Sequence, residues 1–238
     1  MKALVGISIL LFLSSYFTVW QKDISFPIVS SLATIIFALP AIIGAIKWLG
    51  FKLGLLLFLL LGVFSYLIET LGLLTSFPYG EFSYNENVGI LVSNFIPISL
   101  PFAWVPLLLG AYVFAQTLKS NFLKMYIASI FYIIVIDLIL DPGAVYLGFW
   151  SYSEKGLWYG VPLTNYFGWF LSGSIGFLMI WSIAKHKKNN PPSYIAVSYI
   201  LSLVFWTGVC FFSKIWGGAL IGLVMTIWLM RRQSRMNK

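Results

Sequence analysis

Apolar residues run along this chain in long stretches that are separated by short polar segments. Windows of about 20 apolar residues, the length that spans the hydrocarbon core of a bilayer, predict eight helices. They lie near residues 3–20, 27–46, 53–74, 96–118, 125–141, 165–184, 194–211 and 214–230. The last two are nearly continuous, and Ser213, Lys214, Gly217 and Gly218 predict the turn between them. The expected fold class is an all-α polytopic membrane helix bundle with about eight transmembrane helices.

The positions of the basic residues support this helix count. If the N-terminus is cytoplasmic, the outer segments carry only three of them, Lys22, Lys155 and Lys214. The inner segments carry twelve: Lys2, Lys47, Lys52, Lys119, Lys124, Lys185, Lys187, Lys188, Arg231, Arg232, Arg235 and Lys238. This is the positive-inside bias, and seven helices would move the basic C-terminal segment to the other side. We therefore expect a multi-pass protein of the cell membrane with both termini cytoplasmic.

The first helix allows one alternative interpretation. A lysine precedes its apolar core, as in a secretory signal, but no convincing small-residue cleavage site follows Ser14 and Ser15. A spanning helix is the favoured interpretation.

Composition excludes several classes of protein. The 238 residues are 60% hydrophobic and only 9% charged. So few charged side chains cannot cover the surface of a soluble domain. The net charge of +8 comes from short basic clusters between apolar runs, so no nucleic-acid partner is expected. One cysteine, Cys210, cannot form an intrachain disulfide, and one histidine, His186, cannot complete a His/Cys metal cage. No metal and no cofactor are expected.

Two polar loops repeat one pattern of residues. Offsets of 13, 14, 15 and 17 residues from Glu69 reach Phe82, Ser83, Tyr84 and Glu86. The same offsets from Asp137 reach Trp150, Ser151, Tyr152 and Glu154. A proline follows each loop, and a tryptophan stands seven residues later: Pro97 and Trp104, then Pro162 and Trp169. The sequence predicts one integral-membrane domain, 1–238, with a parallel repeat of helices 3–4 and 5–6, about 53–118 and 125–184.

Three carboxylic acids lie within these apolar helices. Glu69 interrupts the run LGVFSYLIETLGLL, and Asp137 and Asp141 are four residues apart on one helix face. A carboxylate in a spanning helix costs about 2.5–3.5 kcal/mol on insertion scales, so such groups usually face the bundle interior and serve a function. A structural interpretation stays open, in which Glu69 and Asp137 hydrogen-bond across helices and Asp141 ends its helix before Pro142.

Aromatic side chains are expected on the same side of the membrane as the acids. They are Phe82, Tyr84, Trp150, Tyr152, Trp158, Tyr159, Tyr166 and Trp169. An interfacial aromatic belt is the structural alternative. Protonated carboxyl groups beside aromatic faces are, however, the combination that protonates an alkene and stabilises the resulting cation.

The two repeat loops resemble those of a known family. The stretches ETLGLLTSFPYGEFSY (69–84) and DPGAVYLGFWSYSEKGLWYGVPLTNYFGW (141–169) are similar to the carotenoid biosynthesis membrane proteins that include carotenoid hydratases of archaea and bacteria. The specific part of the resemblance covers about residues 66–170. It implies addition of water across the terminal double bond of a linear, or ψ, carotenoid end group, which gives a tertiary alcohol.

The small integral-membrane lycopene cyclases are similar to the same repeat unit. Their Pro-x-Glu-Glu motif corresponds to residues 97–100 and 162–165 here, where both carboxylates are missing. This difference favours the hydratase over the cyclase, which remains the alternative. A membrane transporter or channel built on a parallel repeat is the alternative outside enzymes. An intramembrane prenyltransferase is disfavoured because no Asp-rich Mg²⁺ motif is present on the acid-bearing side.

The resemblance and the buried acids together define a candidate site. Glu69 and Asp137 are predicted as the acid and base in undecided order, and Asp141 and Glu81 as groups that orient water or tune the pair. The residues expected to line the substrate site are Tyr84, Trp150, Tyr152, Pro162, Asn165 and Trp169, with the Asn165 amide as a ligand for water. The expected partners are a hydrophobic carotenoid substrate, the lipid bilayer and other carotenoid-pathway enzymes.

Overall fold

The computed structural model describes residues 2–118, 121–187 and 189–236. Within these ranges it contains eight helices: α1 (Lys2–Trp20), α2 (Pro27–Leu49), α3 (Phe51–Thr75), α4 (Leu100–Gln116), α5 (Phe122–Tyr146), α6 (Leu163–Ala184), α7 (Ile195–Phe212) and α8 (Trp216–Met236). Four short strands lie in the loops: β1 (Phe82–Tyr84), β2 (Leu91–Val92), β3 (Ile96–Pro97) and β4 (Trp150–Tyr152). The predicted all-α membrane helix bundle is confirmed. Lys119, Lys188 and Lys238, which entered the charge argument, lie outside the described residues.

Six of the helices, α1, α2, α3, α5, α6 and α7, are long and apolar enough to cross a membrane. Helix α4, predicted over 96–118, has only 17 residues because strand β3 occupies the start of that segment. It is the central helix of the bundle, packed against α2, α3, α5, α6 and α7, and nearly all its side chains are buried. Because other helices rather than lipid surround α4, the helix can be shorter than its neighbours.

Contacts at both ends of α8 show that the helices run between two common faces. At its end, the Arg232 guanidinium donates a hydrogen bond to the Thr117 hydroxyl, which follows α4. At its start, the Gly217 N–H donates to the Tyr159 hydroxyl at 2.9 Å, in the loop after α5. Helices α4 and α8 thus end at one face, and α5 ends at the opposite face where α8 begins.

The turn between α7 and α8 is shorter than expected. It occupies residues 213–215, where Lys214 has a φ of 62°. Gly217 and Gly218 were predicted to lie in this turn but belong to the first turn of α8. A Cβ at Gly218 would lie 2.8 Å from the Cys210 sulfur, so this glycine permits close packing of α8 on α7.

Helix α5 continues past the proline that was expected to end it. Pro142 has no N–H to donate to the Leu138 carbonyl one turn earlier. That carbonyl instead accepts a hydrogen bond from the Trp158 indole at 2.9 Å. Since a partner outside the helix satisfies the carbonyl, α5 extends to Tyr146 and keeps Asp141 in its interior. The interpretation of Asp141 as a turn residue is therefore wrong.

Replacing Trp158 by Phe should destabilise the protein, because the partly buried Leu138 carbonyl would lose its donor. The expected loss is about 1–3 kcal/mol, the cost of an unsatisfied buried polar group. Thermal unfolding in detergent measures it. Trp20→Phe is the matched control, since the Trp20 side chain is 69% exposed at the end of α1. Equal stability of the two variants would show that this carbonyl needs no partner.

The two repeat loops meet at one face of the bundle. Strands β1 and β4 pair antiparallel, with Ser83 opposite Ser151 and Tyr84 opposite Trp150. The expectation that both loops lie on the same side is thereby confirmed. A two-fold axis that passes between Ser83 and Ser151 places each strand on the other. Residues at the same offset in the two repeats then coincide. We propose that this two-fold axis relates the two repeat units, about 53–118 and 125–184.

Candidate active site

A cavity of about 460 Å³ reaches into the bundle below the paired strands. Its walls come from α1 to α7 and from both repeat loops. Seven of the predicted site residues line it: Glu69, Tyr84, Asp141, Trp150, Tyr152, Asn165 and Trp169. The tertiary structure therefore brings most of the candidate site together around one space.

Glu69 of α3 lines the cavity. It is placed six residues before α3 ends, and its side chain is 5% exposed. The Tyr84 hydroxyl of β1 donates a hydrogen bond to Glu69 Oε2 at 3.1 Å. Burial raises the pKa of Tyr84 well above its usual value, so Tyr84 remains a neutral donor.

The repeat alignment matches Glu69 with Asp137, but the acid of α5 that the second strand holds is Asp141, one turn later. The Tyr152 hydroxyl of β4 donates to Asp141 Oδ2 at 2.7 Å, and the Asn165 amide donates to the same oxygen at 2.5 Å. Burial, followed by the charge of Asp141, raises the pKa of Tyr152 well above its usual value, so it also stays a donor. The cavity thus contains two carboxyl groups, each held by a tyrosine from one of the paired strands.

Asp137 lies behind the cavity wall rather than in it. Its side chain is fully buried, and Asn165 Nδ2 lies 3.1 Å from its Oδ2. One amide group therefore contacts both aspartates, as expected for side chains four residues apart on one helix face. Both contacts use the Asn165 NH₂ group, so this amide bridges the two aspartates.

Two other predicted site residues lie away from the cavity wall. Glu81 is exposed in the first repeat loop, where its backbone carbonyl accepts a hydrogen bond from the Ser153 N–H at 3.0 Å. Pro162 is buried at the start of α6, and its carbonyl accepts from the Asn165 N–H at 3.1 Å. Pro162 thereby sets the first turn of the helix that carries Asn165.

Aromatic rings surround the carboxyl groups. Trp104 and Trp169, the matched tryptophans of the two repeat units, stack with ring centroids 5.7 Å apart. Trp150 meets the ring of Tyr84 edge to face at 5.8 Å. Trp158, Tyr159 and Tyr166 are outside the wall, and the first two instead connect the second loop to α5 and α8.

Tyr79 is a residue of the cavity wall that the sequence did not single out. Its side chain is 2% exposed, and its ring lies between α3 and α6. A Cβ at Gly72 of α3 would lie 2.9 Å from this ring, and one at Gly168 of α6 would overlap it. The two glycines are the only sequence signal for this contact, and they are 96 residues apart, so no local pattern connects them.

The donor set of the site is made of carboxyl, hydroxyl and amide groups. Among the described residues, no group of three or more His, Cys, Asp and Glu side chains has the arrangement of a metal site. The chemistry available to these residues is proton transfer beside aromatic faces in a largely apolar space.

The protein is thus a membrane helix bundle that holds a buried carboxyl cluster beside an aromatic cavity. The sequence model described as "Carotenoid biosynthesis protein" matches residues 25–229. The chain belongs to this carotenoid biosynthesis protein family, which confirms the resemblance found in the repeat loops.

A curated relative gives the chain a more specific comparison. The chain is 32% identical over 193 residues to the bisanhydrobacterioruberin hydratase of Haloarcula japonica. The alignment covers 77% of this chain and 64% of that protein, so the chain spans slightly less than two thirds of the relative's length. No solved structure matches the chain.

Proposed function

We propose that this protein is a carotenoid hydratase that adds water to the terminal double bond of a linear, ψ-end carotenoid. The observation that carries the proposal is the pair of tyrosine-held carboxyl groups, Glu69 and Asp141, in the wall of one aromatic cavity. Membership of the carotenoid biosynthesis family and the similarity to a named hydratase support the choice of substrate and reaction.

Glu69 is the proposed proton donor. Its apolar surroundings favour the neutral acid, and Tyr84 occupies only one of its two oxygens. The Glu69 proton forms a new C–H bond at the CH carbon of the terminal double bond. The electron pair of that double bond is consumed, and a tertiary cation remains at the carbon that bears two methyl groups.

The aromatic wall stabilises this cation. Trp150 and Trp169 line the same cavity as Glu69. A cation over an aromatic face gains about 0.5–2 kcal/mol, and more in a desolvated site. The apolar walls also exclude water that would otherwise compete for the cation at random.

Asp141 is the proposed base. Two short hydrogen bonds, from Tyr152 and Asn165, stabilise its ionised form. A water molecule bonds through its oxygen to the cation and gives one proton to Asp141. Return of this proton from Asp141 to Glu69 restores the pair, so the net change is addition of one water. Asp137 and Asn165 act as positioning residues that hold the Asp141 carboxyl.

Expression in a lycopene-producing cell tests the proposal. A hydratase increases the mass of the pigment by one water for each end that reacts. A cyclase, which begins with the same protonation, leaves the mass unchanged and alters the absorption spectrum. A pigment that keeps both its mass and its spectrum would contradict either reaction.

We further propose that the protein lies in the cell membrane with both termini cytoplasmic, as the basic residues predict. Arg235, near the end of α8, and Lys155, in the second repeat loop, are both exposed, and Cys210 is buried. In intact cells an impermeant thiol reagent should label Lys155→Cys, and should label Arg235→Cys only after permeabilisation. Labelling of Arg235→Cys in intact cells would reverse the orientation.

A further inference from the structure

The cavity opens sideways between the first two helices. Its lining includes exposed side chains on α1, Ser14 and Phe17, and on α2, Val29 and Ala33. Phe17 is 58% exposed and Val29 62% exposed, although both border the same space as the buried Glu69. The cavity therefore connects the carboxyl groups with the outer surface of the bundle.

This opening lies at the depth of the carboxyl groups. Ser14 is six residues before the end of α1, and Ala33 is six residues after the start of α2. Glu69 is likewise six residues before the end of α3, and Asp141 five before the end of α5. At about 1.5 Å of rise per residue, these positions are all about 8–9 Å inside the helix ends at the same face. The path from the opening to the acids thus runs along the membrane plane.

The packing of α1 explains why the opening exists. Helix α1 packs closely along α7, and α2 also packs against α7. No comparable packing joins α1 to α2 in the described part of the chain. The two consecutive helices are therefore separated by the cavity, and surrounding lipid is the medium on its outer side.

The wall between the opening and the acids suits an apolar chain. Three of its serine and threonine hydroxyls donate to backbone carbonyls and so present no unpaired donor. Ser14 donates to Leu11 at 2.9 Å, Thr34 to Ser30 at 2.9 Å, and Ser30 to Asn87 at 3.2 Å. Apolar side chains, including Phe37 of α2 and Phe205 of α7, complete this wall.

We propose that the opening between α1 and α2 is the entrance through which a long hydrophobic polyene reaches the acids from the hydrocarbon layer. The end group occupies the cavity, and the chain lies between α1 and α2 with its remainder in the bilayer. The identity of this occupant rests on the proposed function. The route itself rests on the continuity, depth and chemistry of the cavity.

Bulky substitutions at the entrance test this route. Ala33→Phe and Val29→Trp add volume at two exposed positions of the opening, so neither disturbs a packed core. Ala3→Phe repeats the first substitution at an exposed position of α1 that does not line the cavity. Each entrance variant should lower hydration in lycopene-producing cells by about tenfold, a loss of about 1.4 kcal/mol in binding, because the added ring occupies space that the polyene needs. Ala3→Phe should match the wild type.

A binding measurement separates the entrance from the chemistry. The same variants are prepared in a Glu69→Gln background, and lycopene that co-purifies is measured per protein by its absorbance. Loss of bound lycopene with Ala33→Phe and Val29→Trp, but not with Ala3→Phe, supports the entrance even if the wild type does not hydrate the pigment. Full binding and full hydration by both entrance variants would overturn the entrance and leave the hydratase intact.

Discussion

Hydration should be lost when Glu69 is replaced by Gln. The amide keeps the size of the side chain and still accepts the hydrogen bond from Tyr84, but it cannot deliver a proton to the alkene. Loss of a general acid typically costs about 10²–10⁴-fold in rate. The variant should nevertheless fold, because a neutral amide is less costly to bury than a carboxylate. The rate of pigment conversion in isolated membranes measures the effect, and unreacted lycopene should accumulate.

Glu154→Gln is the matched control for this experiment. Glu154 is exposed in the second repeat loop, so the same chemical change is made outside the cavity. It should leave the conversion rate near that of the wild type. If Glu69→Gln retained that rate as well, the buried glutamate would have only a structural role and the proton would come from another group.

Replacing Asp141 by Asn should change the product rather than merely stop the reaction. Glu69 still forms the cation, but no carboxylate accepts the proton of the attacking water, so hydration should fall by about 10²–10⁴-fold. A cation that is not captured by water loses a proton or cyclises. Mass spectrometry should therefore find pigment of unchanged mass with an altered absorption spectrum.

Asp137→Asn is the internal comparison for Asp141→Asn. Asp137 is as deeply buried and contacts the same Asn165 amide, but it does not line the cavity. Its replacement should reduce hydration less than Asp141→Asn does and should leave the hydrated carotenoid as the product. Retained hydration in Asp141→Asn together with loss in Asp137→Asn would assign the base to Asp137.

The membrane helix bundle could be predicted from the amino-acid sequence. Eight apolar runs predicted eight helices, and the structure contains them with ends shifted by a few residues. This works because a spanning helix must satisfy its backbone hydrogen bonds internally and present apolar side chains to lipid. The alignment of Ser83 with Ser151 likewise anticipated two loops on the same side, which pair as β1 and β4.

The sequence also identified most of the side chains around the cavity. Carboxylates are costly in an apolar helix, so Glu69 and Asp141 were visible as exceptions to the local pattern. Tyr84 and Tyr152 were visible through their matched offsets from Glu69 and Asp137. Tyr84 donates to Glu69 as that alignment implies, whereas Tyr152 donates to Asp141, one turn after Asp137.

Which of these groups meet depends on the tertiary packing of the helices. Asp137 and Asp141 share one helix face, and the packing of α5 against its neighbours turns Asp141 into the cavity wall and leaves Asp137 behind it. The extension of α5 past Pro142 depends on the Trp158 indole, 20 residues after the carbonyl that it satisfies. Tyr79 enters the wall through glycines on two separate helices. Local apolar pattern predicts each helix, whereas its rotation and its partners depend on contacts between residues that are distant in the chain.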